Sequence, residues 1–269
     1  ISKVGYDGLR VSVLSNYGNG AIHPTANITI YGLPMDKIDK IIRIRWGSNE
    51  MLLSKVKIEV AEEGEEFKPF YHGVITFARL DTSNAPDIAL IIESILTEDE
   101  KQKLVSGSDF EEGTKLADAV EQLATEMGYQ FEDNGVKTVL SYTSLNDTNL
   151  AKIQKLCDDY GVSLYIENRL IAIAPKGHPR KIAKPIISPS NGLLSYPTST
   201  VQGVNFKCLY NPLIRFGGLL EIKDSIVKMA NGDWHVIGLR THLESNMPNG
   251  EWSMEVNAGR GDRIYNVKH

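Results

Sequence analysis

The sequence contains little cysteine and no long apolar run. Only two cysteines occur among 269 residues, Cys157 and Cys208, and neither belongs to a CxxC motif. This argues against a zinc site or a disulfide framework and favours two buried free thiols, which suit a reducing compartment. No run of about 18 uncharged apolar residues occurs, and no basic-then-apolar leader follows Ile1, so we expect neither a membrane span nor a signal peptide.

A strong excess of either charge is also lacking. Lysine and arginine number 29, aspartate and glutamate number 34, and the formal net charge is therefore -5. The chain as a whole offers no electrostatic support for binding nucleic-acid phosphates without regard to sequence. Hydrophobic residues make up 42% and charged residues 23%. This balance is typical of a folded globular protein and not of a disordered one.

Recognisable catalytic and ligand-binding motifs are missing as well. The six histidines are scattered, and no two have the spacing of a helical metal site. Neither a phosphate-binding glycine motif nor a GxSxG motif occurs. The acidic residues of 62–66 lie at a predicted hairpin tip and Asp158-Asp159 at a helix end, so both lack the apolar pocket that glycosidase chemistry needs. The sequence predicts no catalytic residue, no metal site and no bound cofactor.

Alternation of apolar and polar residues predicts a β domain over residues 1–96. Two strands surround a Gly/Asn turn at 17–20, a short helix begins at Pro34, and two further strands flank a charged tip at 62–68. An Ile- and Leu-rich run over 87–96 completes this domain.

Two helix–glycine–strand units are predicted within residues 97–175. The first helix is expected to be capped by Thr114 and to end at Gly128; the second, to be capped by Asp147 and to end at Gly161. Apolar residues recur at helical spacing in both helices, and a strand follows each glycine. The two units therefore make a small α/β module.

A polar stretch precedes these units and a proline-rich stretch follows them. We expect residues 97–110, which include Asp99 and Glu100, to form a connector whose charges face water. The prolines between 175 and 189 indicate a linker, and Arg180 adds to its positive charge. Before this linker, Asn168-Arg169 is predicted to form a tight hairpin turn.

Residues 176–269 return to strand-like alternation and predict a second β domain, in the form of a small barrel. Asn231-Gly232 and Asn249-Gly250 are predicted hairpin turns, because a type I′ turn needs positive φ at both central residues. Trp234 and Trp252 fall in alternating strands, so core or subunit contacts are favoured over sugar stacking for the tryptophans, Trp46 included. The predicted fold class is α+β, mostly β, with two β-barrel-like domains (1–96 and 176–269) flanking the α/β module (97–175).

Two parts of the sequence carry an ordered set of short motifs. Residues 147–166 predict a capped helix that ends in Tyr160-Gly161 before a strand. The C-terminal part has the order strand, Asn-Pro, Gly-Gly, Trp hairpin, His-x-Leu-x-Ser and Gly-x-Trp. The residues that carry this order include Asn211, Pro212, Gly217, Trp234, His242, Ser245, Gly250 and Trp252. Over residues 110–260, and more loosely before them, the chain resembles the phage tail baseplate hub proteins, the central hubs of contractile tails and related injection systems.

The resemblance implies a structural role without enzymatic activity. Such hubs form a homotrimeric ring that joins the sixfold tail tube to the threefold spike and surrounds the channel for DNA. The implied partners are a central spike protein, a tail tube or tube-initiator protein and a tape-measure protein, with no specific nucleic-acid binding. The protein would be made in the host cytoplasm and reside in the virion tail baseplate. Its net charge leads us to expect a neutral or acidic channel wall.

Two other classes of protein stay open at this point. A β-rich receptor- or carbohydrate-binding tail protein would show exposed aromatic platforms with polar rims. An enzyme such as a peptidoglycan hydrolase would need a cleft that holds two acids or a set of metal ligands.

Overall fold

A computed structural model describes residues 8–18, 23–42, 54–61, 64–100, 103 and 105–260. Several sequence predictions concern residues outside these ranges: part of the Gly/Asn turn at 19–20, Trp46, the acidic pair at 62–63 and His269. The described chain is α+β and mostly β, as the sequence predicts. No helix in these ranges is long and apolar enough to cross a membrane.

The described residues of the N-terminal segment form five strands and one short helix. Buried and exposed residues alternate along most of the strands, so one face of the sheet packs on the core. The helix begins directly after Pro34, as predicted. The elements are β1 (Arg10–Tyr17), β2 (Thr25–Tyr31), α1 (Met35–Ile41), β3 (Lys55–Val60), β4 (Lys68–Asp81) and β5 (Ala89–Ile95).

The middle segment contains the two predicted helix–glycine–strand units. Gly128 and Gly161 end the helices with φ of +75° and +63°, the left-handed conformation that the sequence predicts. The elements are β6 (Ser108–Phe110), α2 (Leu116–Glu126), β7 (Gln130–Asp133), β8 (Thr143–Leu145), α3 (Asn149–Asp159), β9 (Val162–Glu167) and β10 (Leu170–Pro175). β10 lies between β7 and β9 in a three-stranded sheet, and β6 pairs with β8.

Both predicted helix caps are wrong by one residue. The residue before α2 is Lys115, which makes no capping bond, whereas the Thr114 hydroxyl donates to the Glu111 carbonyl. The cap of α3 is Thr148, whose Oγ1 accepts from the Ala151 amide at 3.3 Å. At α3 two neighbouring residues of the cap-forming type compete for this position and the backbone geometry decides between them, whereas α2 simply begins one residue later than predicted.

The C-terminal segment adds six strands. Its strands are β11 (Ile186–Ile187), β12 (Thr198–Ser199), β13 (Gly203–Leu209), β14 (Leu219–Ile222), β15 (Gly232–Ser245) and β16 (Trp252–Gly259). In β13 the residues Val204, Phe206 and Cys208 are buried in strict alternation, as predicted. Burial raises the pKa of the Cys208 thiol to about 12, and that of Cys157 likewise, so both cysteines are buried free thiols as expected.

The two Asn-Gly turns differ from the prediction. Ile222 pairs with Gly232, so residues 223–231 connect β14 to β15, and Asn231 has a φ of -68° that excludes a type I′ turn. β15 and β16 do form a hairpin, but residues 246–251 connect them, and of the Asn249-Gly250 pair only Asn249 has a positive φ. In the first of these connections, residues 223–231, the Asn231 side chain accepts a hydrogen bond from the Ser225 amide. The tight turn at Asn168-Arg169, by contrast, is confirmed.

The N-terminal and C-terminal strands join in one sheet, to which the described parts of the chain contribute eleven strands. β1 pairs antiparallel with β15, in a register that runs from Val11 opposite Ser245 to Tyr17 opposite Leu239. The main path is β12-β13-β16-β15-β1-β2-β5-β4-β3, and β14 and β11 attach beside β15. No closed barrel is found among the described residues, so the two separate barrels expected from the sequence are not observed. Alternation predicts strands but not their partners, and the β1–β15 pair links the two ends of the chain. The boundaries at 96 and 175 stay predictions.

This sheet has one buried and one outward face that continue across both segments. Strand register places side chains in rows perpendicular to the strands. One row on the buried face crosses six strands, through Cys208, Met254, Thr241, Ser15, Ala26 and Ser94, all of which are buried. The next row on the outward face runs through Lys207, Glu255, Arg240, Asn16 and Thr25, all half-buried or exposed.

Candidate functional site

The eight motif residues lie in two groups at opposite ends of the long strand β15. Trp234 and Gly217 lie near its first residues, where the Gly217 amide donates to the Val236 carbonyl at 3.0 Å. The other six lie around its last residues and the hairpin to β16. Both groups stand where the C-terminal segment meets another part of the chain, which makes these junctions the candidate functional sites.

The first group joins the C-terminal segment to the middle segment. Gly217 has a φ of +80°, and a Cβ there would lie 2.5 Å from the Tyr165 ring, so only glycine fits against β9. The Tyr165 ring packs edge-on against Phe216, and its hydroxyl lies 3.3 Å from Nε2 of the buried His235. Trp234 is buried and donates from Nε1 to the Ala230 carbonyl at 2.7 Å. Burial lowers the pKa of His235, so this histidine is a neutral core residue.

The second group begins with an aromatic chain that reaches the N-terminal segment. Trp252 donates from Nε1 to the Glu244 carbonyl and packs edge-on against Tyr210, with ring centroids 5.8 Å apart. Tyr210 packs in turn on Phe70 of β4, at 6.0 Å. After Tyr210 the chain turns through Asn211-Pro212, where the Asn211 carboxamide accepts from the Leu213 amide. The Asn-Pro motif therefore ends β13 and directs the chain away from this junction.

His242 lies at the junction of four strands on the outward face. Its Nε2 lies 3.1 Å from the Ser12 hydroxyl of β1, and its Nδ1 lies 3.0 Å from Oε2 of Glu251. Glu251 also pairs with Lys207 of β13. The hydrogen bond from Lys207 is the main cause that lowers the pKa of Glu251 to about 2.

The remaining motif residues, Ser245 and Gly250, complete the end of the hairpin. Ser245 is exposed and lies opposite Val11 of β1 in the sheet register. Gly250 donates its amide to the Met247 carbonyl at 3.0 Å, and a Cβ there would lie 3.1 Å from the same oxygen. A larger residue at position 250 would therefore require the neighbouring backbone to shift by a few tenths of an ångström.

Sequence reasoning missed a buried ion cluster beneath the first group. The Arg180 side chain is fully buried and donates to both carboxylate oxygens of Glu132 at 2.9 Å. It also donates to Oε2 of Glu167 at 2.8 Å, which accepts a further bond from Arg215. The bond from Arg180 is the main cause that lowers the pKa of Glu132. The proline-rich stretch is therefore not a free linker, since Arg180 anchors it to β7 and β9; only the charge of Arg180 could have signalled this.

The β9–β10 turn makes contacts with the N-terminal segment as well. Asn168 donates from Nδ2 to the Phe70 carbonyl at 2.7 Å, and Arg169 donates from Nε to Nδ1 of His72 at 3.3 Å. Both turn residues have positive φ, 33° and 62°. Arg169 also lies 3.5 Å from the carboxylate of Asp99. The turn and the residue before it, Glu167, thus contact all three segments of the chain.

The charged connector of residues 97–100 is buried, contrary to the prediction that its charges face water. Asp99 and Glu100 are almost fully buried. Lys55 pairs with Asp99 at 2.8 Å and Lys103 pairs with Glu100 at 2.8 Å. The partner of Asp99 is distant in sequence, so composition alone gives the wrong environment. No group of three metal-ligating side chains occurs within the described residues.

Comparison with known proteins identifies the family. A family model described as baseplate hub gp41 matches residues 35–252, which is most of the chain. The chain belongs to the baseplate hub gp41 family. A baseplate hub protein of this kind is a component of the phage tail baseplate, in agreement with the resemblance seen in the sequence. A sequence search finds no significant match among curated proteins.

Solved structures share the fold of this baseplate hub protein at low sequence identity. The 43 kDa tail protein of prophage MuSo2 from Shewanella oneidensis matches with a TM-score of 0.62 and 8% identity, over 94% of this chain and 93% of that one. A tail protein from Neisseria meningitidis MC58 matches with a TM-score of 0.56 and 10% identity, over 92% and 91%. The c3393 protein of Escherichia coli matches with a TM-score of 0.58 and 9% identity, over 93% of this chain and 73% of that one. It is a type VI secretion system component described as structurally similar to the T4 tail proteins gp27 and gp5.

Proposed function

We propose that this baseplate hub protein forms a homotrimeric ring that joins the sixfold tail tube to the threefold spike and surrounds the channel for DNA. The observation that carries the proposal is the sheet that runs through both β segments. Its main path ends in β3 on one side and β12 on the other, and each of these strands has a single neighbour among the described residues.

The two end strands offer the two different surfaces that a cyclic ring requires. In a ring of identical subunits each contact joins one surface of a subunit to a different surface of the next, and the rotation must close. An edge strand presents unpaired backbone groups that another chain can pair with. Pairing of β3 in one subunit with β12 in the next would continue the sheet around the ring. Three such contacts would close a trimer.

The position of the β1–β15 pair supports the sixfold character of this ring. On one side of the pair the path continues through β2, β5, β4 and β3, and on the other through β16, β13 and β12. Each subunit therefore contributes two sheet portions of comparable width. Three subunits would present six portions to a sixfold tail tube, whereas the subunits themselves keep threefold symmetry for the spike.

We further propose that the outward face of the sheet lines the channel. Its basic side chains have acidic partners nearby: Lys207 pairs with Glu251, and Arg240 lies 3.9 Å from Glu255. Asn16 and Thr25 continue the same row as uncharged polar residues. Such a wall holds few unneutralised cations, so DNA phosphates would pass without being retained.

The two tryptophans that the structure describes, Trp234 and Trp252, give little support to a carbohydrate-binding role. Trp234 is buried, and the Trp252 indole N–H is bonded to the Glu244 carbonyl while its ring packs on Tyr210. A sugar-stacking platform needs an exposed ring face. These contacts favour a structural connector over a carbohydrate-binding protein, and we propose, as the family resemblance implies, that the hub has no catalytic activity.

Cross-linking of the two end strands tests the ring. We would replace Lys57 of β3 and Thr198 of β12 by cysteine and oxidise the purified protein. Parallel samples would carry the β3 cysteine at Lys55 or Glu59 instead, so that three registers between β3 and β12 are tested. A disulfide forms only when the two Cα atoms approach within about 7 Å, and the native cysteines are buried. We expect covalent trimers and a threefold ring with a central hole in negative-stain images.

A matched control pairs the same β3 cysteine with one at Asp118, which is exposed on α2 and should give no trimer. If a ring forms but no cross-link appears at any of the three β3 positions, the pairing of β3 with β12 is contradicted. If light scattering shows nothing but monomer at every concentration, with the spike protein present as well, the ring itself is contradicted.

A further inference from the structure

A cluster of four side chains fixes the β3–β4 pair to the middle segment. The buried Asp99 carboxylate pairs with Lys55 of β3 at 2.8 Å and lies 3.5 Å from Nη2 of Arg169 in the β9–β10 turn. Arg169 donates from Nε to Nδ1 of His72 on β4 at 3.3 Å. We refer to Lys55, His72, Asp99 and Arg169 as the edge cluster, since β3 is the end strand of the sheet.

The direction of the Arg169–His72 hydrogen bond fixes the protonation state of the imidazole. A guanidinium group donates hydrogen bonds and accepts none, so Nδ1 of His72 accepts and carries no proton. An imidazole whose Nδ1 accepts is neutral. Protonation of His72 would remove the acceptor and place a positive charge within hydrogen-bond distance of Arg169.

The charges around His72 oppose its protonation. Lys55 and Lys57 approach from β3, where Lys57 lies directly opposite His72, and Arg169 approaches from the β9–β10 turn. Among the charged groups that act on His72, Asp99 of the 97–100 connector is the one carboxylate, and it favours the protonated form. Burial first, and then Arg169 and the lysines, lower the pKa of His72. Three cations, of which Lys57 pairs with Glu59 at 2.7 Å, and the Asp99 carboxylate thus surround a histidine that must stay neutral for the contact to persist.

We propose that the edge cluster is an acid-sensitive latch, which releases the β3–β4 pair from the β9–β10 turn when His72 becomes protonated. If β3 closes the ring as proposed above, the latch makes ring formation depend on pH; this second step rests on the proposed function, whereas the release itself does not. The release is one-sided. Glu167, next to the same turn, is bound to Arg180 and Arg215 and has no contact with His72 among the described hydrogen bonds.

The sign of the effect follows from the lowered pKa of His72. The unfolded chain takes up the proton near the ordinary histidine pKa of about 6.5, before the folded chain does. The contribution of the latch is therefore complete above that pH and is lost as the pH falls below it. Acidification, not alkalinisation, should open the latch.

Hydrogen exchange of the full chain at about pH 7.5 and about pH 5.5 tests the latch, since histidine changes charge between them. After correction for the intrinsic pH dependence, we expect amides of β3 and β4 to exchange about tenfold faster at the lower pH, because one lost hydrogen bond of about 1.4 kcal/mol changes a local opening equilibrium tenfold. His72→Asn keeps an acceptor oxygen but does not titrate, and should abolish the difference.

Two further variants keep the test falsifiable. His178→Asn changes an exposed histidine outside the cluster and should keep the response of the natural chain. Asp99→Asn removes the carboxylate from among the cations and should give fast exchange in β3 and β4 at both pH values. Equal responses in the natural chain and His72→Asn would overturn the latch, as would full protection at the lower pH.

Light scattering of the same samples separates the latch from the proposed function. A ring that dissociates at the lower pH in the natural chain but persists in His72→Asn supports both. Monomers at both pH values would contradict the ring, while the exchange data would still decide the latch. A ring that persists at the lower pH although β3 and β4 exchange faster would overturn the link between latch and ring.

Discussion

Replacement of Arg180 by methionine should break the joint between the middle and C-terminal segments. Methionine fills much of the space of the arginine stem, so the main loss is the charge. Glu132 loses two hydrogen bonds of 2.9 Å, and Glu167 loses one of 2.8 Å. Removal of one partner from a buried ion pair costs about 3–5 kcal/mol, and we expect about 3 kcal/mol because Arg215 still neutralises Glu167. For a chain of this size this corresponds to a fall in Tm of about 6–12 °C.

Thermal and urea unfolding followed by circular dichroism would measure this loss, and its pH dependence gives a second test. Arg180 lowers the pKa of Glu132, so Glu132 contributes stability above the ordinary glutamate pKa that is lost as the pH falls through its folded value. The difference between the natural chain and the variant should therefore stay constant from about pH 7 to about pH 5 and narrow as the pH falls below about 4.3.

Lys184→Met is the matched control, since Lys184 lies in the same proline-rich stretch but forms exposed pairs with Asp233 and Glu221. We expect no measurable loss of stability from this substitution. If Arg180→Met destabilised the protein no more than the control did, or if the difference did not vary with pH, the buried ion cluster would not be the joint that we describe.

Two predictions concern a glycine that packs against a ring and the residue that caps α3. Gly217→Ala should destabilise the protein by about 2–4 kcal/mol, because strain at positive φ adds to a clash with the Tyr165 ring. Gly128→Ala should cost about 1 kcal/mol, because Gly128 has a similar φ but open space around it. Urea unfolding of both variants would compare them, and equal losses would show that the close approach at Gly217 is unimportant. Thr148→Ala should cost about 1 kcal/mol through loss of the α3 cap. Thr114→Ala should cost less, and the reverse order in thermal unfolding would contradict the assignment of the caps.

Local features of the fold could be predicted from the sequence. The apolar stripe of α3, the left-handed Gly161 and the strict alternation of β13 each depend on residues close together in the chain. The Asn168-Arg169 turn was predicted for the same reason. Contacts between neighbours in sequence are sufficient to specify such elements.

The junctions could not be predicted, because their partners are distant in the chain. Asp99 and Arg180 belong to charged or proline-rich stretches that read as solvated, and only the fold brings Lys55 and Glu132 to them. The pairing of β1 with β15 likewise has no local signal. The order of the motif residues likewise carries no signal for their division into two groups at the ends of β15.

The β1–β15 pair also has a mechanical consequence. Its register contains an unbroken run of opposed residues from Val11–Ser245 to Tyr17–Leu239. Hydrogen bonds between antiparallel strands lie perpendicular to the strands. A force directed along the strands would strain the whole run together, whereas a force across them would separate the bonds one after another. Under mechanical load, the two halves of the sheet should therefore resist sliding far better than peeling.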